Sequence, residues 1–500
     1  MFFVESKRLA AWPSVDEILC HLHNSAMQPP LDNLSHDPIH GYIPFSSDTQ
    51  LATGGVAERT IIDHPWVQRM RHIHQLQTAW WVYPTAEHTR FQHILGAMHL
   101  GSRAIGRLYP SLRDVCSAMG ESVPSRGYVE STMRMAGLLH DVGHGPFGHF
   151  FDHHFLTRFD LTHEKLGAHI IEHELGDLLK QLRRNPNSEL DEHEQLDPQQ
   201  IAWLIQRPKR ESAVDDESFP RWLYFLRSLL SGIYTIDNMD FVLRDAYMSG
   251  FSPKSFDLDR LLHYSFFTER GLTISRRGIG SLLRFMAAKS DLFSNVYFHR
   301  TVRGIDLALA DVFQQSRDFL FPGNPLEHLD EYLNFTETTL LVDVPRWRNS
   351  SDPEKARLGQ QWHEILQRRV PWRMSCQRSV LFAEHDPESS SIFADASLVE
   401  FKLRQSLPPE TADTPIKIDI ARHIYRPHTR GPAANQNFYY DDSRDQVRPL
   451  SDSQLFRHLP VSSRICRVYT PVGEHGLDAT IAAAMDELIG STGPDDLTNM

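Results

Sequence analysis

The stretch GLLHDVGHGPFGHFFDH, from Gly137 to His153, places four histidines and two aspartates among apolar residues. Imidazoles and carboxylates are costly to bury unless they are hydrogen-bonded, paired with an opposite charge or bound to a metal ion. The stretch is therefore either a polar network in a protein core or the floor of an active site. Other parts of the sequence have to distinguish these two interpretations.

Composition limits the class of protein. The chain has 500 residues, more than one hydrophobic core usually spans, so we expect one large domain and a smaller lobe. The formal net charge of −13 argues against a protein that coats nucleic acid. The four cysteines form no CxxC pair and are typical of reduced intracellular thiols. Because the sequence shows neither a signal-peptide pattern nor an apolar run of about 18 residues, we expect a cytoplasmic protein without a membrane span.

Most of the chain has the pattern of α-helices. The segment TRFQHILGAMHLGSRAIGRLY begins with Thr89 and Gln92 in capping-box spacing and continues with apolar residues at helical intervals. MRMAGLLHD predicts a second helix, which ends where glycine and proline follow. KLGAHIIEHELGDLLKQL predicts a third helix, and the polar segment RRNPNSELDEHEQLDPQQ predicts a surface insertion.

The pattern changes in the C-terminal part of the chain. The runs IKIDIARHIYRP and RICRVYTP are rich in β-branched and aromatic residues and predict strands, with a long loop between them. We therefore expect a mainly α fold with a helical core and a smaller α+β lobe. The predicted segments are an N-terminal extension (1–33), the core (34–345), the C-terminal lobe (346–475), and a terminal helix with a disordered tail (476–500).

Candidate metal ligands occur in three helical segments. His140 and Asp141 follow the second apolar helix, and imidazole and carboxylate are good ligands for Mn, Fe or Zn. Two adjacent ligands do not complete a site, so others must come from elsewhere; His93 and Asp237 are the candidates. Three charged residues of TIDNMDFVLRD share one helix face: Asp237, Asp240 and Arg244. Their apolar neighbours suggest that this face lines a polar cleft.

The order His…His-Asp…Asp resembles that of the HD-domain phosphohydrolases. The strings DPIHGYI, IIDHPWVQRMRHIHQLQ, VYPTAEHTRFQH, LLHDVGHGPFGHFFD, THE and IDNMDFVLRD occur in the order found in the deoxynucleoside triphosphate triphosphohydrolases of that group. The resemblance covers roughly residues 34–315 and, more loosely, the C-terminal lobe to about residue 470. It implies that the predicted core is an HD-domain phosphohydrolase core.

The resemblance implies a role for each of several residues. The metal ligands would be His93, His140, Asp141 and Asp237, which would hold Mn, Fe, Mg or Zn. The catalytic and phosphate-contacting residues would be His144, His149, His163 and Asp152. We expect His163 and Asp152 to form a proton-donating pair, in which the carboxylate orients the ring and raises its pKa. Without the other motifs, His93 would be taken as a half-buried helix histidine and Asp237 as an exposed carboxylate.

The same resemblance implies a substrate and a reaction. Phosphate contacts would come from Arg90, Lys289, His299 and Arg300; deoxyribose contacts would come from Tyr297 and Asp245, with Gln75 and Leu76 at its 3′ side. Water would attack the α-phosphorus and release a deoxynucleoside and triphosphate. Asn238 stands where the family has a lysine and Phe241 where it has a tyrosine, so we expect a weaker hold on the triphosphate, or a substrate with fewer phosphates.

Two other functions stay open at this point. The chain could be an HD phosphohydrolase that acts on nucleoside monophosphates or nucleic-acid ends, which the intact HTRFQH and GHGPFGH strings disfavour. It could also be a catalytically silent nucleotide-binding regulator, which the complete ligand set disfavours more strongly. Nucleic acid is therefore not the expected partner, and deoxynucleoside triphosphates are.

A regulatory site is the last implication of the resemblance. Asp63, Gln68 and Arg71 match the family's guanine-nucleotide activator site, which lies between subunits, so the resemblance implies a homo-oligomer, a dimer or a tetramer. A carboxylate can accept the N1 and N2 hydrogens of guanine, and arginine can contact its O6 edge or a phosphate. The alternative is a surface ion pair between Asp63 and Arg71, which would contribute little. His36 departs from the family's asparagine.

Overall fold

A computed structural model describes residues 33–47, 55–206, 218–383, 386, 388, 391–411, 413–425 and 437–490. The predicted N-terminal extension up to residue 32 and the last ten residues of the predicted tail lie outside this described part. Within it the fold is mainly α, as predicted. The helices are α1 (Glu58–Ile62), α2 (Pro65–Gln68), α3 (Arg90–Ala118), α4 (Arg126–Leu139), α5 (His149–His154), α6 (His163–His173), α7 (Gly176–Lys180), α8 (Pro198–Ile205), α9 (Arg221–Arg227), α10 (Ile236–Met248), α11 (Leu258–His263), α12 (Ile279–Leu292), α13 (Arg300–Leu320), α14 (Leu329–Asn334), α15 (Glu337–Asp343), α16 (Pro353–Leu366), α17 (Ala396–Ser406), α18 (Gln454–Arg457) and α19 (Asp478–Gly490). The strands are β1 (Asn33–Asp37), β2 (Gly41–Phe45), β3 (Ser265–Thr268), β4 (Gly271–Ser275), β5 (Trp372–Phe382), β6 (Lys417–Ile424), β7 (Phe438–Asp441), β8 (Gln446–Pro449) and β9 (Ser462–Pro471).

Helix α3 is the central element of the core. It begins with the predicted capping box, in which Thr89 and Gln92 satisfy each other's backbone groups. Helices α4 and α10 pack against it along its apolar face. Gly96 permits the close approach of α10, because a Cβ atom at this position would lie 1.9 Å from Asp240 Oδ1. The three helices that carry the predicted metal ligands therefore meet at one place.

The turn between α4 and α5 follows from one glycine. Gly148 has φ = +54°, a left-handed conformation that favours glycine. A Cβ atom there would also lie 2.2 Å from Arg90 Nη2. The turn therefore brings the start of α5 directly over the start of α3.

In the described part of the chain, three small sheets complete the fold. Strands β1 and β2 form an antiparallel hairpin, and β5, β9 and β6 form an antiparallel sheet in that order. The third sheet has the order β3-β4-β7-β8, with β4 and β7 parallel. Strands β7 and β8 lie in the segment for which the sequence predicted only a loop, so that prediction is wrong for residues 438–449. Strand β7 pairs in parallel with β4, which lies more than 160 residues earlier in the chain. No short sequence pattern predicts a pairing between segments so far apart.

Two other local predictions need correction. The predicted third helix is interrupted, because α6 ends at His173 and α7 begins at Gly176. The predicted surface insertion is partly buried: Asn185 is completely enclosed, and its side chain donates to Ser131 Oγ at 2.9 Å. This segment is therefore packed against α4 and is not a free surface loop.

Among the described residues, the packing forms a large core, a smaller core and a third small cluster that includes Leu76, Leu292 and Val302. The large core surrounds α3 and α4 and includes Leu358 and Trp362 of α16. The smaller core lies between the β5-β9-β6 sheet and helices α17 and α19. The predicted division at residue 346 does not coincide with a break in the packing, because α16 lies against α13. Among the described residues, none of the helices has the length and apolar character needed to cross a bilayer.

Candidate metal centre and catalytic pocket

The four predicted metal ligands lie together, and we call them the metal quartet: His93, His140, Asp141 and Asp237. His93 Nε2 lies 3.2 Å from both His140 Nε2 and Asp237 Oδ1. Asp141 Oδ1 is 3.4 Å from His140 Nε2, and Asp141 Oδ2 is 3.9 Å from His93 Nε2. Ligands at about 2.1 Å from one metal ion are separated by roughly 3.0–3.5 Å, so the closest donor pairs suit a shared divalent cation. Ligand atoms of His93, His140 and Asp141 all lie within 4.8 Å of one another. Asp237 Oδ1 approaches the two histidines, at 3.2 Å from His93 Nε2 and 3.7 Å from His140 Nε2.

Hydrogen bonds orient both imidazoles toward that position. His140 Nδ1 donates to the carbonyl oxygen of Gly137 at 2.9 Å, and His93 Nδ1 donates to Asp240 Oδ2 at 2.8 Å. With the Nδ1 atoms engaged, the Nε2 atoms of both rings face the centre of the quartet. Such outer hydrogen bonds are typical of metal-binding histidines, because they fix the tautomer and the ring orientation.

A buried ionic network lies behind His93. The Asp240 carboxylate accepts hydrogen bonds from His40 Nε2 at 2.7 Å and from Arg244 Nε at 2.8 Å, in addition to His93. Arg244 also donates to Asp37 Oδ2 at 2.8 Å. The exposed fraction of the Asp240 side chain is 0%. This network anchors the quartet to the β1–β2 hairpin.

Electrostatics prepare the quartet for a cation. Burial opposes the charged form of Asp237, yet hydrogen bonds from His140 and His93 hold the pKa of this carboxyl well below its usual value. Burial also opposes protonation of His93, but Asp237 and Asp240 raise the pKa of its ring. A cation that binds here must therefore displace a proton from His93.

A second group of titratable residues adjoins the quartet, and we call it the histidine cluster: His144, His149, Asp152 and His163. His163 Nδ1 donates to Asp152 Oδ2 at 2.5 Å, so the predicted pair is formed. The rings of His144 and His163 stack with centroids 3.7 Å apart. The sequence predicted a raised pKa for His163, but burial and the neighbouring His144 outweigh Asp152 and lower it. The direction of that prediction is wrong for the free protein.

A cavity of about 320 Å³ opens over both groups, within the size range of small-molecule sites. Eleven of the predicted site residues line it: Gln75, Leu76, Arg90, His93, His140, Asp141, His149, His163, Asp237, Asp245 and Tyr297. In the cavity lining, the Tyr297 hydroxyl donates to Asp245 Oδ2, and Asp245 Oδ1 accepts from His88 Nε2 at 2.7 Å. Arg90 Nη1, also in the lining, donates to Asp141 Oδ2 at 2.6 Å.

Three predicted phosphate contacts lie outside the cavity lining in the described part of the chain: Lys289, His299 and Arg300. Lys289 Nζ donates to Asn238 Oδ1 at 3.1 Å, so the residue that departs from the family pattern holds this lysine next to the metal quartet. Burial lowers the pKa of Lys289 to about 8, although Asp237 opposes the shift. The His299 side chain caps α13 by accepting from the Thr301 amide, and Arg300 is exposed.

The three residues predicted to bind an activator lie near α1 and α2. Arg71 Nε donates to Gln68 Oε1 at 2.7 Å, and its guanidinium lies 3.6 Å from the centre of the Phe91 ring. Asp63 pairs with Arg59 at 3.3 Å, in place of the predicted alternative pair with Arg71. Both partners of that surface pair are more than half exposed.

Sequence reasoning missed several functional neighbours. Asp306 lines the cavity and accepts from Gln77 Nε2 at 3.1 Å and from Thr78 Oγ1 at 2.5 Å. Arg303 connects Asp306 to Asp419 of the C-terminal lobe. No local pattern indicated these long-range pairs. The spacing of Asp240 and Arg244, four residues apart in α10, was the one available signal for the ionic network.

Comparisons with known proteins show what this chain is similar to. Residues 90–211 match the HD domain family. The chain is 25% identical over 462 residues to deoxynucleoside triphosphate triphosphohydrolase SAMHD1 of Gallus gallus, covering 87% of this chain and 71% of that protein. It is 26% identical over 338 residues to the uncharacterized protein YwfO of Bacillus subtilis, covering 63% of this chain and 66% of that protein. The matched regions span between about half and about seven tenths of the first few curated relatives.

A solved structure has the same fold. The crystal structure of a hypothetical protein from Aquifex aeolicus superposes with a TM-score of 0.62 and 21% identity. The alignment covers 91% of this chain and all of that one. The fold is thus shared with a protein of low sequence identity.

Proposed function

We propose that this chain hydrolyses deoxynucleoside triphosphates to deoxynucleosides and triphosphate. The premise is that it carries an HD domain and resembles the deoxynucleoside triphosphate triphosphohydrolases. One observation supports this most strongly. The metal quartet, the His163–Asp152 pair and the Tyr297–Asp245 pair adjoin one cavity. A metal position, a proton donor and a polar pair that can contact the sugar are the parts that the reaction needs.

The residues around the α-phosphate supply the proton chemistry. A divalent ion held by the metal quartet supplies an activated water and neutralises phosphate charge when it is bound. Asp152 engages Nδ1 of His163, which leaves Nε2 of that ring for the departing 5′-oxygen. Burial and the neighbouring His144 lower the pKa of the free ring, and the negative charge of an incoming phosphate favours its protonation. His163 then gives this proton to the leaving deoxynucleoside.

The Tyr297–Asp245 pair selects the sugar. Tyr297 is held against Asp245, and Asp245 is held by His88, so neither group can move aside without losing a hydrogen bond. We propose that the ring of Tyr297 leaves no room for a 2′-hydroxyl and that Gln75 and Leu76 contact the 3′ side of the sugar. This arrangement would favour deoxynucleotides over ribonucleotides.

The phosphates would be held mainly by the metal ion and Arg90. Lys289 contributes a further positive charge close to the metal quartet. Its hydrogen-bond partner Asn238 is neutral, so this contact does not neutralise the ammonium charge. We propose that Lys289 partly replaces the lysine that the family has at position 238. His299 and Arg300 could join only where the polyphosphate extends beyond the cavity.

Product analysis tests this proposal. The purified protein, supplied with Mn²⁺ or Mg²⁺, is incubated with each deoxynucleoside triphosphate, and products are separated by anion-exchange chromatography. The expected products are a deoxynucleoside and intact triphosphate in equal amounts. Release of diphosphates or monophosphates would favour the second candidate, an HD phosphohydrolase with another phosphoester substrate. No turnover despite bound metal would favour a nucleotide-binding regulator.

We further propose that a guanine nucleotide binds at Asp63, Gln68 and Arg71 and favours a homo-oligomer, a dimer or a tetramer. Arg71 is fixed by its contacts with Gln68 and Phe91, while the Asp63 carboxylate is held only by an exposed ion pair. Such a pair is weak and can be exchanged for a guanine base. Bound nucleotide would favour the assembly for which it has the higher affinity.

A further inference from the structure

Two ion pairs connect the C-terminal lobe to the wall of the cavity. Asp419 of β6 accepts from Arg303 Nε at 3.1 Å and 3.2 Å, through its two oxygens, and from Arg303 Nη2 at 2.5 Å. Arg303 Nη1 donates to Asp306 Oδ2 at 3.2 Å. Arg303 and Asp306 line the cavity, and both carboxylates are buried. The lobe therefore contacts the cavity wall through the Arg303 guanidinium.

Asp306 also binds the turn formed by residues 75–78, which we call the 75–78 turn. Asp306 Oδ1 accepts from Gln77 Nε2 at 3.1 Å and from Thr78 Oγ1 at 2.5 Å. Gln77 lines the cavity together with the two residues proposed above for the 3′ side of the sugar, which belong to the same turn. Asp306 is thus the link between helix α13 and the residues that face the sugar.

The backbone of this turn has to be held in place. Gln77 has φ = +52°, a left-handed conformation that is unfavourable for a residue with a side chain. Such residues persist where surrounding contacts fix them, and they are concentrated at active sites and ligand-binding segments. The hydrogen bond from the Gln77 side chain to Asp306 is a contact of this kind.

The lobe packs closely on the first turns of α13. The Tyr469 hydroxyl of β9 donates to the carbonyl oxygen of Arg300 at 2.7 Å. A Cβ atom at Gly304 would lie 3.2 Å from the Tyr469 ring. Because Tyr469 holds the backbone of this helix and Asp419 holds the Arg303 guanidinium, the lobe determines where Asp306 lies.

We propose that Asp419 and Arg303 are positioning residues, which hold Asp306 and, through it, the 75–78 turn against the cavity. The consequence for catalysis rests on the proposed function, in which this turn contacts the 3′ side of the deoxyribose. When the turn is displaced, a nucleotide should lose the contact to its 3′-hydroxyl while the metal quartet and His163 stay in place. We therefore expect a higher KM for deoxynucleoside triphosphates at a nearly unchanged kcat.

Two variants break the connection at different atoms, and we call them the connection variants. Asp419→Asn removes the charge that holds the guanidinium. Arg303→Lys keeps a positive charge beside the two buried carboxylates, so it should fold, but an ammonium group lacks the planar fork that bonds to both. Asp311→Asn is the matched control: Lys417 donates to Asp311 at 2.8 Å, which joins the same strand to the same helix, but these side chains are 37% and 43% exposed.

Hydrogen–deuterium exchange followed by mass spectrometry measures the turn itself, without nucleotide. The Gln75 amide donates to the His88 carbonyl at 3.1 Å, and the Ala79 amide donates to the Leu76 carbonyl at 2.8 Å, so both amides report on the turn. They should exchange about tenfold faster in the connection variants, which corresponds to the loss of one charge-assisted hydrogen bond. The control should match the wild type. Unchanged exchange in both connection variants would overturn the proposal.

Steady-state kinetics with a deoxynucleoside triphosphate and its 2′,3′-dideoxy analogue tests the consequence. One hydrogen bond to a hydroxyl corresponds to about a three- to tenfold preference in kcat/KM for the substrate that carries the 3′-hydroxyl. This preference should fall to near one in the connection variants and persist in the control. A wild type without the preference, or faster exchange with an unchanged preference, would overturn the positioning role, because the ion pairs would then stabilise only the fold. A wild type that hydrolyses neither nucleotide would refute the proposed function, and the exchange result alone would then decide whether the lobe holds the turn.

Discussion

Replacement of Asp240 by asparagine tests how the fold supports the metal quartet. The carboxylate accepts four hydrogen bonds: Oδ1 accepts from His40 and Arg244 Nη2, and Oδ2 accepts from His93 and Arg244 Nε. An amide has one acceptor oxygen, so either His93 or His40 must face an NH₂ group in Asp240→Asn. The negative charge that makes the His93 ring a stronger ligand is lost in both orientations.

The expected size of the effect follows from this loss. Removing an outer partner of a metal-binding histidine weakens metal binding by about 10–100-fold, or about 1.4–2.7 kcal/mol. Removing one partner of a buried ion pair costs about 3–5 kcal/mol of folding stability. Because Asp37 still pairs with Arg244, we expect Asp240→Asn to lower the free energy of unfolding by about 3 kcal/mol. Arg244 is fully buried and would otherwise lack a counter-charge.

Two assays measure these effects separately. Competition with a coloured chelator gives the affinity for Mn²⁺, and urea unfolding followed by circular dichroism gives the free energy of unfolding. Asp259→Asn is the control, because this carboxylate also pairs with an arginine but is 85% exposed. It should change neither quantity. A folded Asp240→Asn protein with wild-type Mn²⁺ affinity would refute the reasoning.

Three further predictions concern catalysis, acid stability and regulation. Asp152→Asn should lower turnover about 10²–10⁴-fold while the quartet still binds Mn²⁺, as steady-state rates and metal analysis would show; near-normal turnover would exclude the proton-donating pair. Burial and Lys289 lower the pKa of His423 from 6.5 to about 4. Between these pH values the unfolded chain takes up a proton that the folded chain does not, so the free energy of unfolding should fall by up to about 3 kcal/mol as the pH drops from about 6.5 to 4. His423→Phe should flatten that part of the stability profile in urea titrations, and an unchanged slope would contradict it. Asp63→Ala and Arg71→Ala should each abolish any rise in sedimentation coefficient and turnover on addition of dGTP without loss of metal; a wild-type protein that responds to dGTP in neither measurement would exclude the activator.

The sequence predicted the parts of the site that short motifs carry. The capping box at Thr89, the His-Asp pair after α4 and the Asp237 helix face are local features, and the structure brings their side chains together. These residues lie on helices whose packing faces are readable from apolar periodicity. The relative position of the helices then follows from small residues such as Gly96.

The rest depended on contacts between distant parts of the chain. The sequence did not show that Asp240 joins His93 to the β1–β2 hairpin through Arg244, or that β7 pairs with β4. The lowered pKa of His163 also escaped prediction, because it results from burial and from the electrostatic effect of the neighbouring His144. Such effects require the three-dimensional neighbours of each group.

The position of bond cleavage tests the central claim most directly. Hydrolysis of a deoxynucleoside triphosphate in H₂¹⁸O is followed by mass spectrometry of both products. If water attacks the α-phosphorus and His163 protonates the departing 5′-oxygen, one ¹⁸O atom enters the triphosphate and none enters the deoxynucleoside. Label in the deoxynucleoside, or in inorganic phosphate released from the γ-position, would contradict the account.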